Sequence, residues 1–557
     1  MVDSGASTTL ADWPLRPWLL AGILGLAGLL IHLFTQGHED TPWRVAVAAF
    51  LFFAALSTAF TLEPVKWRGA AIFSVIIGLV MAGLAWRAVN YGESLPDEHY
   101  GFAAGVLASL LALPLFQAGF ARKRLSTPYS DIHYHVWTDA ISGAGALAFT
   151  GLAWIVFAVL SELFHLLKID LLRDLMGEGW FGWSFSGVAC GAAFGVLRNQ
   201  TRVLGTLMSV VLLVLSLLAV PVAAGLVLFL LATALSGPDV LWEATRSATP
   251  VLLACAAGAY VLTNAILRDD AGSMSASRIM RIAALVLAAV ILPLAVFAAF
   301  SMGLRLDQHG LSPERLWGLV AIMVACAFGL GYWVALARGR KPDWATKLRE
   351  ANFHLAIGVC ALALLLALPV LDFGAISTRN QLARLESGEV SAEDFDYAAL
   401  RWEFGEPGVR ALTILARGSS GAAEYAQIAL EQEQRGYRLD RQIRRDEDFN
   451  LRVQPDDPEL RRQVLDYLRE NGWACDQYCV AIQTGTAQDG GREIAIVQGS
   501  GYITAALPVA DGADQPPAPA IETPPRSELR EGSEVEIRTV EKRYIFVDGK
   551  PVGQPLD

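Results

Sequence analysis

An all-α polytopic membrane domain of about eleven transmembrane helices, followed by a soluble α+β C-terminal domain, is the fold class this sequence predicts. Three observations predict it. Hydrophobic residues make up 54% of the 557 and charged residues only 18%, with a mean hydropathy of +0.40, too apolar for a water-soluble chain. The apolar residues come in charge-poor blocks of about 20, the length a helix needs to cross a ~30 Å hydrocarbon layer. Charge is also unevenly distributed. Residues 1–373 hold 23 Lys and Arg against 23 Asp and Glu, whereas 374–557 hold 21 against 32 and carry the whole net charge of −11. The lipid bilayer is therefore the first partner. An acidic, water-facing tail argues against nucleic acid and against adhesion to anionic headgroups.

Taken in order, residues 1–16 carry Asp3 and Asp12 without a basic cluster and read as a retained cytoplasmic segment, not a signal peptide. Within the membrane domain, 17–373, spans are expected at 17–34, 43–62, 69–89, 101–121, 140–163, 180–197, 203–235, 248–267, 281–302, 316–337 and 353–371. Two of these admit alternatives. The 180–197 run is short and glycine-rich, compatible with a span or a re-entrant segment. The 203–235 run is long with Pro221 in its middle, compatible with one kinked helix or two halves.

Loop charges orient the spans. With the N-terminus inside, the inner segments hold 16 Lys and Arg and the outer ones 7, and in no successive pair does the outer loop hold more. That pattern is the positive-inside rule, and eleven crossings place the acidic tail outside. Tryptophans at span ends (Trp18, Trp43, Trp67, Trp86, Trp137, Trp180 and Trp317) suit the interfacial belts, while Trp154 sits mid-span.

The tail divides into an exported α+β domain at 374–510, a Pro/Ala-rich linker at 511–525 and a β-rich segment at 526–557. Helical patterns cover 376–386, 394–416, 422–435 and 458–470, the last opening on Asp457 as N-cap. Strand-like runs lie at 478–483, 493–497, 502–507, 534–540 and 543–547.

Candidate sites are few. Gly187, Gly191 and Gly195, four apart in the sixth span, would form a groove along one helix face where another backbone approaches closely. Val188 should lie round the helix from that groove. Cys190, Cys255, Cys326 and Cys360 fall within apolar spans and read as small buried residues. Cys475 and Cys479 lie in the tail, where a loop this short closes as a disulfide if the Cα atoms come within about 7 Å; free thiols are the alternative. A redox Cys-x-x-Cys has two intervening residues, not three. Glu162 and His165 stand at i and i+3, but carboxylate–histidine metal sites in helical bundles use the motif twice and no second copy is present. His133 and His135 sit at the opposite end of that span. No metal and no cofactor are expected. Charged residues near mid-membrane mark ion pathways, and almost none are seen here.

Outer-loop carboxylates remain: Glu39 and Asp40, then Asp97 and Glu98. Lipid-linked sugar transferases place carboxylates in an early outer loop, although the loop at 35–42 is short for that family.

Beyond composition, Tyr134-x-x-Trp137, Phe149-Thr150-Gly151-Leu152-Ala153-Trp154 and Leu163-Phe164-x-Leu166-x-x-Ile169 resemble the bacterial membrane family DUF4153. Lys168 stands where the family has an exit glycine. Phe395-Asp396-Tyr397-x-x-Leu400-Arg401, with Gly405, Gly408 and Ala411-Leu412, is similar to its post-membrane signature. The resemblance spans about 40–420 and implies a multi-pass inner-membrane protein with no reaction or functional residues to carry over.

The favoured reading is a non-enzymatic envelope role, permease-like or as an assembly scaffold. It places the N-terminus in the cytoplasm and the C-terminal domain in the periplasm, with periplasmic or membrane protein partners. The alternative is a lipid-linked glycosyl or polymer transferase using Glu39, Asp40, Asp97 and Glu98.

Overall fold

The computed structural model describes residues 13–38, 40–96, 98–236, 248–270, 272–339, 343–419, 421–432, 450–471, 474–475, 478–486, 491–498, 501–507, 543–547 and 550–556. The chain forms two compact units: 1–389 with 399–411, and 390–398 with 412–557.

Among the described residues of the first unit, eleven helices are long and apolar enough to cross a membrane. They are α1 (Arg16–Thr35), α2 (Pro42–Thr61), α3 (Trp67–Tyr91), α4 (Glu98–Gln117), α5 (Tyr129–Leu166), α6 (Gly179–Asn199), α7 (Thr201–Ser236), α8 (Ala248–Leu267), α9 (Arg278–His309), α10 (Pro313–Arg338) and α11 (Trp344–Ala367). Both ambiguous runs are single continuous helices. In α7, Pro221 lies inside the helix without ending it, as lipid-embedded helices tolerate when neighbours re-satisfy the freed carbonyl. In contrast to the expected start at residue 140, α5 begins at Tyr129 and runs 38 residues, taking in His133, His135 and Asp139. The polar residues there are accommodated because they meet other helix ends, as described below.

Hydrogen bonds between distant helices show which ends share one side of the bundle. Arg16, buried at the start of α1, donates to Arg198 O and Asn199 Oδ1 at the end of α6. Arg198 in turn donates to the carbonyls of Ala59 and Leu62 at the end of α2. Gln117, at the end of α4, donates to Phe60 O and to Asp139 Oδ1. Arg349, in the first turns of α11, donates to the carbonyls of Leu267, Arg268 and Asp270 beyond α8. Among the described residues, the inner-loop cations Arg16, Arg198 and Arg349 lie at these ends.

Close packing is concentrated where side chains are smallest. A Cβ on Gly187, Gly191 or Gly195 of α6 would fall on the backbone of Leu24, Leu20 or Pro17 of α1. The contact is two-sided, because a Cβ on Gly28 of α1 would strike the Trp183 carbonyl of α6. Dispersion between backbones drives such association, since lipid offers no hydrophobic gain. Val188 departs from expectation: its γ-methyl occupies the notch over Gly25 and is part of this interface. The α1 face supplies a glycine the groove argument had not paired with it. Trp154 finds its partner on the same side of the bundle, donating to Ser186 Oγ at 2.9 Å.

Lys168 adopts φ +61 in the turn after α5, a left-handed conformation that glycine reaches without the Cβ penalty.

α12 (Phe373–Glu386) belongs with the membrane helices, so the division falls later than the charge shift at 373 places it. The helix expected over 394–416 is two, α13 (Tyr397–Trp402) and α14 (Gly405–Ala416). Gly405 has φ +64, and a Cβ there would strike the Ser94 carbonyl, so the chain turns where only glycine fits.

In the second unit α15 (Ala422–Glu431) is followed by a four-stranded sheet. Its strands are β1 (Asn450–Gln454), β2 (Tyr478–Thr486), β3 (Arg492–Gln498) and β4 (Gly501–Leu507), in that order, with β1 parallel to β2 and the rest antiparallel. The parallel pair needs a crossover, which α16 (Pro458–Glu470) provides. Leu460, Val464 and Leu468 of α16 pack with Leu451, Val453, Ala481, Ile494 and Ile496 of the sheet. Cys475 and Cys479 are buried in this core and joined by a disulfide, with Cα atoms 5.5 Å apart. A hairpin of β5 (Arg543–Val547) and β6 (Lys550–Leu556) ends the described chain. The linker at 511–525 and the strand expected at 534–540 lie outside the described residues.

Candidate functional site

Within the first unit, α4 packs on α3 and α11, while α8 packs on α7 and α9. Between these two groups lies a cavity of about 880 Å³. Its walls come from five helices: 100–107 of α4, 249–260 of α8, 291–305 of α9, 314–328 of α10 and 359–366 of α11. Those stretches are apolar because each helix would otherwise face lipid, and alanines such as Ala103, Ala256 and Ala325 leave the space unfilled. A site of this size and character, between helices of a bundle, is where small-molecule ligands are held.

Polarity is confined to one end. Tyr100, Thr249, Arg305, Glu314 and Arg315 line the mouth, opposite the basic ends of the helices. Tyr100 stacks on Trp317, with ring centroids 5.4 Å apart, and both border the cavity. Arg315 donates to the carbonyls of His309 and Gly310, fixing the turn between α9 and α10. α12 braces the same turn: Gln381 donates to the carbonyls of His309 and Leu311, and Asn380 accepts from the Leu311 amide at 2.7 Å. Arg305 is half-buried and makes no hydrogen bond or ion pair with other described residues.

The opposite end is apolar. Tyr260 and Phe328 form the floor, and behind them four polar side chains from four helices meet. Tyr332 of α10 is fully buried; its hydroxyl donates to Asn352 Oδ1 at 2.7 Å and accepts from Asn264 Nδ2 at 2.9 Å. Asn352 of α11 donates to Asn264 Oδ1 of α8 at 2.6 Å and to the Tyr129 hydroxyl of α5 at 3.3 Å. Together they clasp α5, α8, α10 and α11 below an apolar cavity. In a low-dielectric interior such a satisfied network is strong, and a broken one is costly.

Among residues singled out from sequence, Glu39 and Asp97 lie outside the described residues. Asp40 is exposed between α1 and α2, and Glu98 is the first residue of α4, its side chain outside what is described. Tyr100, two residues further on, lines the mouth. The glycines of α6 and the Cys475–Cys479 disulfide are remote from the cavity in chain position and line none of it. His165 at the exposed end of α5 pairs with Asp170. Among the described residues no group of three or more His, Cys, Asp or Glu is arranged to hold a metal. The residues missed from sequence are Arg305 and the clasp. Asn264 and Asn352 are amides close to the ends of apolar runs, a signal that becomes specific only when their helices are paired. Asp139, just before the span expected at 140–163, sits ten residues into α5.

The sequence model of the family described as a domain of unknown function, DUF4153, matches residues 46–413, from within α2 to within α14. That is well over half of the chain, and the chain belongs to this family. No curated protein and no solved structure matches it.

Proposed function

We propose that this DUF4153 chain serves a non-enzymatic, permease-like role in a bacterial envelope, seated in the inner membrane with its C-terminal region in the periplasm. The excess of cations at one set of helix ends supports a cytoplasmic placement of that side. The polar end of the cavity then faces outward, and the clasp lies on the cytoplasmic side. The observation that carries the reading is the cavity itself, polar at one end and apolar along its length, between two helix groups. Transport proteins hold their cargo at such interfaces between helix groups and reach it by rocking one against the other.

The test is labelling from outside. In a chain whose Cys190, Cys255, Cys326 and Cys360 are replaced by alanine, Ala321→Cys places a thiol in the cavity wall and Ala276→Cys one in the exposed turn before α9. A membrane-impermeant maleimide added to spheroplasts should modify the first and should reach the second only after permeabilisation. The reverse pattern would overturn the outward-facing reading. On this reading, alanine replacement of Glu39, Asp40, Asp97 and Glu98 together still complements a gene deletion. Loss of complementation would favour the lipid-linked transferase.

A further inference from the structure

Resting on that reading of the cavity, we infer that its occupant is an anionic amphiphile of the membrane: a phospholipid-like molecule with an acyl chain inside and its phosphate-bearing head against Arg305. Three features argue for it. The first is depth. Arg305 and Ile291 on α9 are fourteen residues apart, as are Glu314 and Phe328 on α10. At 1.5 Å per residue the walls run roughly 21 Å. One leaflet of a ~30 Å hydrocarbon core is roughly 15 Å. The cavity is therefore as deep as one acyl chain, with room at the mouth for a head.

The second is the placement of polarity. Polar side chains gather at the mouth, while the walls below it are apolar down to the floor at Tyr260 and Phe328. A compact polar solute would meet unsatisfied apolar walls, whereas a chain with a polar end matches both regions. The Tyr100–Trp317 stack borders the mouth, and such rings settle at the depth of lipid headgroups. That sets Arg305 at the depth of a lipid phosphate.

The third is charge. The lining holds Arg305 and Arg315 against Glu314, a net positive rim. Arg315 is engaged with two backbone carbonyls, and Glu314 is exposed. Arg305 is the rim cation without a hydrogen-bond partner among the described residues, and guanidinium forms paired hydrogen bonds with phosphate oxygens.

The experiment uses the full chain, delipidated in an uncharged detergent. Its thermal midpoint is followed as phosphatidylglycerol or phosphate-free diacylglycerol of identical acyl chains is added. The anionic lipid should raise the midpoint saturably, with half-saturation roughly tenfold below that of the phosphate-free lipid, the factor one charge-assisted contact supplies. Arg305→Gln should bring the two lipids level while leaving the lipid-free midpoint unchanged, and Arg305→Lys should restore part of the preference. Ala321→Trp, which projects an indole into the cavity, should weaken both shifts. Equal response to the two lipids in the native chain overturns the anionic headgroup and leaves the cavity reading standing. A preference that survives Arg305→Gln overturns the assignment to Arg305. Shifts untouched by Ala321→Trp mean lipid bound only around the protein's perimeter, and overturn the cavity reading itself.

Discussion

Asn352 Nδ2 donates to Asn264 Oδ1 across 2.6 Å, tying α11 to α8 at the apolar end of the cavity. The two residues are 88 positions apart, and each also bonds the hydroxyl of Tyr332. That shared hydroxyl makes Tyr332 the centre of the clasp. Tyr332→Phe keeps the ring and removes the hydroxyl, leaving Asn352 Oδ1 without its donor and Asn264 Nδ2 with only the Tyr260 carbonyl. A buried polar group stranded in this way costs about 1–3 kcal/mol. We expect a lower thermal midpoint in detergent for Tyr332→Phe. Thr263→Val should change it little, because that hydroxyl bonds only a carbonyl of its own helix. Matching behaviour of the two variants would mean that the clasp contributes no tertiary stability.

The α1–α6 contact predicts a second pair. Gly191→Leu drives a branched side chain into the Leu20–Ala21 backbone, and overpacking costs roughly 1–3 kcal/mol. Val196→Leu alters a half-exposed position of the same helix. The first should lose thermal stability and membrane abundance and the second neither. Val188 is unsuited as a control because it fills the notch over Gly25. Tolerance of Gly191→Leu would show that the helices can separate without cost.

Topology and redox state should agree with each other. A periplasm-active reporter fused after Pro369 or at Asp557 is expected to be active, and one in the 339–343 connection silent. Denatured, unreduced protein from the envelope should leave Cys475 and Cys479 unmodified by a mass-tagged maleimide, and reductant should expose both together. A silent Pro369 fusion, or labelling before reduction, would remove the periplasmic placement of the C-terminal region.

Acid should act on the second unit through Asp457. Its carboxylate is held below the ordinary carboxylate range, first by the hydrogen bond from Arg492 and then by the Glu459 amide it caps. A depressed folded-state value means a contribution present above the unfolded carboxylate value, about 3.9. It is lost as pH falls through the lower, folded value. Proteolysis of the α16 region at decreasing pH should therefore accelerate below about pH 4. Asp457→Asn, which keeps a cap acceptor without the charge, should be more easily cut at neutral pH and show less acceleration. An unchanged acid profile would place the acid-sensitive contact elsewhere.

Much of this molecule was legible along the chain because its determinants are local. Apolar length marks the eleven candidate spans. Asp457 before Pro458 marks the start of α16. Four-residue spacing of Gly187, Gly191 and Gly195 marks a face for close approach. Other features depend on residues far apart in the chain, and only the tertiary structure decided them. β1 was unreadable because its five residues pair in parallel with β2 across the α16 crossover, a partner outside any local window. Val188 joined the interface because the opposing notch is made by Gly25, 163 residues away in sequence. The clasp draws Tyr129, Asn264, Tyr332 and Asn352 from four helices, each alone an ordinary polar residue near a span end. The cavity has no sequence signature at all, because it is the space that five apolar helices leave when α4 and α11 pack on one side and α8 on the other. Span count follows from hydropathy; where the helices leave room for a ligand follows from which of them touch.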